Sequence, residues 1–287
     1  MKELVVISGK GGTGKTSLAS SLAALAKKHV MVDCDVDAAD LHLVLKPNVL
    51  ESHDYYGGKK AVINYDLCVK CGKCPEVCRF DAINENIEIS SLACEGCGAC
   101  AYICPEKAIK LEDSLSGQWF ISDTEYAPMV HARLGIAEDN SGKLVSLIRA
   151  KAREIAGKDE RDLLIIDGSP GIGCPVIASI TGADLVLIVV EPTLSGKHDL
   201  ERVIGLTKHF HVNAAVVINK FDLNEEMSDE IMKYCKDNDL NFLTKLSYDE
   251  TVVKAQIAKK PVISFPDAKI SSEIKLLFAE TLNLLNK

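Results

Sequence analysis

The sequence has no long hydrophobic run and no surplus of positive charge. Apolar stretches such as LVVIS at 4–8 and LVLIVV at 185–190 fall far short of the about 20 residues that a membrane helix needs. The N-terminus runs straight into a strand pattern, so neither export nor membrane insertion is expected, and the expected location is cytoplasmic. Against 33 Lys+Arg stand 41 Asp+Glu, a formal net charge of −8, which supplies no global basic field for nucleic acid or anionic lipid. Nucleic acid is therefore not an expected partner. Aromatic residues are sparse at 5%, yet 47% hydrophobic and 26% charged residues match an ordinary globular protein and exclude global disorder. The 287 residues suffice for one large α/β domain and a small insertion.

Cysteine is the residue in surplus. Eleven are present, and in a reducing compartment they are expected to be ligands, catalysts or core rather than disulfides. Eight of them, Cys68, Cys71, Cys74, Cys78, Cys94, Cys97, Cys100 and Cys104, crowd one short stretch. The others, Cys34, Cys174 and Cys235, are scattered and read as small buried hydrophobes, with a lowered thiol pKa the alternative for Cys174, which follows a glycine turn and precedes a helical stretch.

Along the chain, a β-rich run at Leu4–Ser8 ends in glycines, a helical stretch follows from Lys15 to about Lys28, and a second strand ends at Asp33. After Leu45 the pattern degrades through Pro47, His53, Gly57 and Gly58, which reads as a linker into the cysteine-rich segment. The predicted organisation is a discontinuous larger domain, 1–57 and 114–287, with an insertion at 58–113. Strands are expected at 119–122 and on to Leu134, then a helix from about Gly142 to Ala156. The runs at 162–167, 184–190 and 214–219 are near-continuously apolar, as in parallel strands covered by helices on both faces. A doubly wound, mostly parallel α/β sheet is the predicted fold class. A last helix, about Asp267 to Leu285, carries its apolar residues at core spacing.

Gly9-Lys10-Gly11-Gly12-Thr13-Gly14-Lys15-Thr16 satisfies G-x-x-x-x-G-K-T after a strand and before a helix. Glycines let backbone N–H groups turn toward phosphate oxygens, the helix N-terminus adds partial positive charge, Lys15 reaches the β/γ-phosphates and Thr16 offers a hydroxyl to Mg²⁺. Ser17 completes the expected binding segment. Asp33-Cys34-Asp35 closes the second strand at the edge where such sheets bind ligands. Asp37 and Asp40 follow and read as turn or capping residues. Asp167 ends the strand run DLLIID and enters Gly168-Ser169-Pro170-Gly171, the position of an aspartate holding Mg²⁺ through water. Asn219-Lys220-Phe221-Asp222 ends a further strand; N-K-x-D is also how many GTPases read guanine, so this segment alone leaves ATP and GTP open.

The extra Lys10 makes the loop resemble the deviant Walker A ATPases, K-G-G-x-G-K-T, a family that includes MinD, ParA, nitrogenase iron protein and arsenite-pump ATPases. The resemblance implies a P-loop ATPase. In it Lys10 reaches the partner's phosphates across a nucleotide-sandwich homodimer or paralogue heterodimer, Asp35 orients water or the Mg²⁺ shell, Asp33 supports the site, and Asn219 meets adenine. The nitrogenase iron protein's cluster cysteine, three positions after the Walker B aspartate, is replaced here by Pro170.

The run Cys68-x2-Cys71-x2-Cys74-x3-Cys78 is followed by Cys94-x2-Cys97-x2-Cys100-x3-Cys104-Pro105, the bacterial two-cluster ferredoxin pattern given twice. In this spacing the fourth cysteine of each run ligates the other cluster. One [4Fe–4S] cluster is thus assigned Cys68, Cys71, Cys74 and Cys104, and the other Cys94, Cys97, Cys100 and Cys78. Gly72, Gly96 and Gly98 suit loops that approach cluster sulfurs. Together the motifs resemble MinD-superfamily ATPases with an inserted ferredoxin domain, which implies ATP-gated electron transfer or redox sensing with an unnamed partner. A positioning module and a cluster carrier are the alternatives. His131, His198 and Asn140–Lys143 lack partner spacing and are expected in surface or capping roles.

Overall fold

The computed structural model describes residues 1–135 and 141–287. Among the described residues are nine strands: β1 (Lys2–Ser8), β2 (His29–Asp33), β3 (Asn48–Ile63), β4 (Ile109–Asp123), β5 (Pro128–Leu134), β6 (Leu163–Pro170), β7 (Leu185–Val190), β8 (Ala214–Asn219) and β9 (Asn241–Leu246). The sheet order is β3-β4-β5-β2-β6-β1-β7-β8-β9. Every pairing from β5 through β9 in that order is parallel. The α/β class is therefore as expected. Its central strands are buried along nearly their whole length, Leu4–Ile7 and Leu164–Ile166 without exposure, because helices cover both faces.

The chain divides into two compact units. The larger comprises Met1–His53, Trp119–Arg133 and Ser141–Lys287. Its core joins the sheet to the helices Lys15–Leu25 and Lys269–Leu285 through Leu18, Leu22, Ile274 and Leu277. Each such buried aliphatic side chain contributes about 1.5–3 kcal/mol. The smaller unit comprises Asp54–Gln118 and the segment from Leu134. Its core is small, with Ala61, Ile63, Ile83, Ile87 and Ile109 packed around the buried Cys74 and Cys100. Two five-residue helices, Lys73–Val77 and Ala99–Ile103, each begin after a glycine in the left-handed region, Gly72 at φ 78° and Gly98 at φ 80°.

Several local expectations need correction. The supposed linker around His53–Gly58 is part of β3 at the edge of the sheet: residues 48–52 are exposed without alternation, and the doublets Tyr55-Tyr56, Gly57-Gly58 and Lys59-Lys60 hide in the sequence the alternate burial that begins at Tyr55. The first helix ends at Leu25, since Ala26 is already extended and Lys28 takes φ 47°. His131 is buried, not superficial: it lies on β5 and its Nε2 is 2.9 Å from Ser122 Oγ on β4. Cys174 is exposed at the start of the helix Cys174–Ile180, whereas Cys34 and Cys235 are buried as expected. Ser141–Lys143 open the helix Ser141–Lys158, and His198 lies exposed on the helix Leu194–His209; Asn140 lies outside the described residues. No helix among the described residues is long and apolar enough to cross a membrane.

Candidate functional site

The glycine-rich loop leaves the C-terminal end of β1 and enters the helix Lys15–Leu25, at the sheet edge where α/β folds bind ligands. Gly12 and Gly14 take φ 80° and 90°, so only glycine holds the loop without strain. A side chain at Gly14 would also stand 2.5 Å from Asn219 Nδ2. That amide donates to the Thr13 carbonyl at 2.7 Å, so Asn219 clamps the loop from the end of β8.

Three carboxylates lie beside the loop. Asp33 and Asp167 are register partners on β2 and β6, and Asp35 follows β2. Asp33 accepts from the backbone N–H groups of Asp35 at 3.1 Å and Leu41 at 3.3 Å, which makes it a holder of the turn. Lys15 Nζ lies 2.9 Å from Asp167 Oδ1 and 3.3 Å from Asp35 Oδ2. Burial opposes the Lys15 charge, but Asp167 and Asp35 outweigh it and hold the ammonium pKa above the usual lysine range. Burial, and then the neighbouring Asp167 charge, push the Asp33 carboxyl well above its ordinary value; burial likewise raises Asp35, with Lys15 opposing. So much negative charge in one buried corner calls for a further cation.

Two buried oxygens here have no hydrogen-bond partner among the described residues, Asp167 Oδ2 and Thr13 Oγ1. A hard carboxylate oxygen such as Asp167 Oδ2 suits Mg²⁺, as does a hydroxyl, and the Thr16 hydroxyl stands 3.4 Å from Lys15 Nζ, which is itself 2.9 Å from Asp167 Oδ1. Ser169 Oγ donates to the Cys34 carbonyl at 2.7 Å, and the Cys34 N–H donates to the Asp167 carbonyl at 2.8 Å. The two aspartate-bearing strand ends are thereby stitched together. A cleft of about 420 Å³ opens over these groups, lined by Gly11–Leu18, Asp35, Pro170 and Asn219 and continuing past Tyr248 and Val252. That size suits a nucleotide. Ser17 Oγ accepts from Gln256 Nε2 at 3.2 Å. Asp37 and Asp40 are exposed, and Asp40 precedes the helix Leu41–Leu45 without a side-chain cap bond.

The structure adds residues that the motifs did not announce. Glu191, directly after β7, lies with Oε2 3.4 Å from Lys10 Nζ, and its Oε1 accepts from Lys220 Nζ. Lys10 also reaches Ser195 Oγ at 3.3 Å. A charged residue closing the apolar run LVLIVV was the available signal. Asp222 Oδ1 accepts from the Tyr248 N–H at 2.7 Å, so this carboxylate of the N-K-x-D segment is already engaged by the backbone.

In the smaller unit the cysteines sort into two cavities. One is lined by Cys68, Cys71, Cys74 and Cys104, together with Lys70, Lys73 and Ile109. The other is lined by Cys78, Cys94, Cys97 and Cys100, with Ala61, Phe80 and Ile83. Each run thus lends its fourth cysteine to the other cavity. Backbone N–H groups point at three sulfurs: Ala61 to Cys94 at 3.4 Å, Ala82 to Cys78 at 3.4 Å and Ala108 to Cys104 at 3.3 Å. Burial raises the Cys74 and Cys100 thiol pKa, and neighbouring cysteines add to it, so thiolates gathered here need a cationic core between them. None of the eight is in a disulfide. Among the described residues no three His, Cys, Asp or Glu side chains converge on a single point as they would around one metal ion.

Fold and loop define a P-loop nucleotide-binding protein of the doubly wound α/β type. Residues 4–262 match the CobQ/CobB/MinD/ParA nucleotide binding domain, and the chain belongs to that family. An uncharacterized protein of Methanocaldococcus jannaschii is 36% identical over 282 residues, covering 96% of this chain and 95% of the relative. A component of the ion-translocating oxidoreductase complex of Methanosarcina acetivorans is 37% identical over 78 residues, 26% of this chain and 27% of that protein. The cell division ATPase MinD of Pyrococcus furiosus shares the fold at TM-score 0.59 and 18% identity, covering 99% of both chains.

Proposed function

We propose that the chain is a MinD-like ATPase whose residues 58–113 form an inserted domain with two [4Fe–4S] clusters, and that ATP binding and hydrolysis in a nucleotide-sandwich dimer is coupled to electron transfer or redox sensing with a partner protein. The observation that carries the redox half is the sorting of eight cysteines into two cavities with Cys78 and Cys104 exchanged. This sorting supports ligand sets that exchange their fourth cysteines, and N–H groups directed at sulfur are a means of tuning cluster potential. The local similarity to a component of an oxidoreductase complex supports the same reading. When bound, the clusters would supply one-electron chemistry.

In the nucleotide half, the loop N–H groups of Gly11–Thr16 cradle the phosphates. Lys15 exchanges its carboxylate partners for the β/γ-phosphates. Thr16 and Asp167 would hold Mg²⁺, with the unpaired Asp167 Oδ2 free to accept from its water shell. Asp35, partly open to the cleft, orients the attacking water, and Lys10 crosses to the partner subunit's nucleotide. With Asp222 committed to Tyr248, adenine is the base this site favours. Homodimer and paralogue heterodimer both satisfy this scheme.

Reduction potentials measured with no nucleotide, with ATP and with a non-hydrolysed analogue test the coupling. A nucleotide-dependent shift, or faster electron delivery to a copurifying partner, is expected; neither appearing overturns it and leaves a positioning module. Lys10→Ala tests the crossed lysine separately: hydrolysis should become independent of protein concentration while the cluster absorbance is kept.

A further inference from the structure

Lys10 occupies a built seat within its own subunit. Its ammonium meets Glu191 Oε2 at 3.4 Å, Ser195 Oγ at 3.3 Å and Thr193 Oγ1 at 3.5 Å. Thr193 is itself fixed, because its hydroxyl caps the helix Leu194–His209 by accepting from the Gly196 N–H at 2.9 Å. The backbone beside Lys10 is fixed too: a Cβ on Gly9 would stand 2.2 Å from Asp199 Cβ on the same helix. Loop and helix cap thus form one surface, and the lysine lies along it.

The second oxygen of Glu191 belongs to Lys220, whose Nζ also lies 3.4 Å from the Gly12 carbonyl. Lys220 sits at φ 59°, a left-handed conformation held at the end of β8. One carboxylate therefore serves two lysines. If Lys10 leaves, Glu191 keeps a full counter-charge, so departure strands no buried anion. A lone Glu–Lys pair would lack this property.

We infer that Glu191 is a positioning residue that retains Lys10 in cis and sets the threshold for dimer formation, with Lys220 as the counter-ion that lets the lysine go. The inference rests on the crossed-lysine reading above. Lys10 is one-third exposed, so its pair with Glu191 is worth no more than a partly screened ion pair, up to about five-fold in an equilibrium constant. Two such pairs open for each dimer formed, so removing both tightens the dimer by about 2- to 25-fold.

The test is sedimentation velocity of the whole protein over a concentration series with Mg²⁺ and a non-hydrolysed ATP analogue, with analogue affinity measured separately by a fluorescent nucleotide. Glu191→Gln should lower the dimer dissociation constant at least about 2-fold, the lower end of that range. Lys220→Met should raise it, because Glu191 then holds Lys10 alone. In a Lys10→Ala background the Glu191→Gln effect should vanish. An unchanged or weaker dimer in Glu191→Gln, or shifts of the same sign in Glu191→Gln and Lys220→Met, overturns the retention of Lys10. So does a Glu191→Gln effect that persists without Lys10. A Lys10→Ala protein that still dimerises as the wild type does removes the crossed-lysine reading itself, a result distinguishable from all of these.

Discussion

The exchanged cysteines make a prediction that paired substitutions can decide. Cys74 and Cys100 are core residues of the smaller unit, so the perturbation is better placed on the half-buried Cys68, Cys94 and Cys104, where truncation leaves little cavity. Cys68 and Cys104 line one cavity, whereas Cys94 lines the other. Cys68→Ala with Cys104→Ala therefore takes two ligands from one cluster and none from the second, leaving about four of about eight irons and one intact cubane. Cys94→Ala with Cys104→Ala takes one ligand from each, and no cubane keeps all four thiolates. Iron analysis and electron paramagnetic resonance of the reduced proteins separate these outcomes: one magnetically isolated spin in the first, no native signal in the second. The reverse pattern, an intact cluster surviving Cys94→Ala/Cys104→Ala but not Cys68→Ala/Cys104→Ala, would show that each run holds its own cluster. Stoichiometric zinc in the wild-type protein would reject the cubanes altogether.

Three further outcomes follow from the larger unit. Gly14→Ala places a Cβ 2.5 Å from Asn219 Nδ2 at φ 90°, and binding of a fluorescent ATP analogue should fall at least about 10-fold, the equivalent of about 1.4 kcal/mol; full affinity would refute the clamp. Glu3 is buried between Arg149 and Arg153, whose hydrogen bonds overcome burial and hold its carboxyl below the usual range. Glu3→Gln leaves Arg149 buried without a counter-charge and should cost about 3 kcal/mol, a fall in Tm of roughly 6–12 °C; a change under about 2 °C would contradict this. His29 is buried with neither ring nitrogen hydrogen-bonded among the described residues, and burial followed by the Arg161 charge lowers its pKa to about 4. The folded state thus refuses a proton that the unfolded chain accepts below about 6.5, so stability is full above that pH and declines toward pH 4. Between pH 7 and pH 5 wild type should lose about 2 kcal/mol more than His29→Leu in urea titrations; equal losses would sink the assignment.

Much of this molecule could be read before its structure was seen, and the boundary has a physical cause. The phosphate loop and the cysteine runs are legible because their chemistry is local: ligands must stand at fixed spacing, and the loop needs glycine where φ is positive. The parallel strands announced themselves through continuous apolar runs. β3 did not, because its first residues are exposed at the sheet edge and the doublets Tyr55-Tyr56, Gly57-Gly58 and Lys59-Lys60 mask the alternate burial of its second half. The pairing of Glu191 with Lys220 was invisible for a different reason. Their partnership joins the ends of two neighbouring strands, 29 positions apart, and only sheet order brings them together. His131 was misjudged in the same way, since its Ser122 partner lies on the adjoining strand.

The stitching of Cys34 to Asp167 and Ser169 bears on how a nucleotide cycle is felt. Asp35 and Asp167 hang from one crossbar between adjacent strands, so neither can be displaced without loading the other. A change at the terminal phosphate would therefore be transmitted sideways through the sheet's rim before it travels along either loop. The Cys34 amide proton, locked in that crossbar, is the natural gauge of the event: its exchange with deuterated solvent should accelerate only when both aspartates let go together.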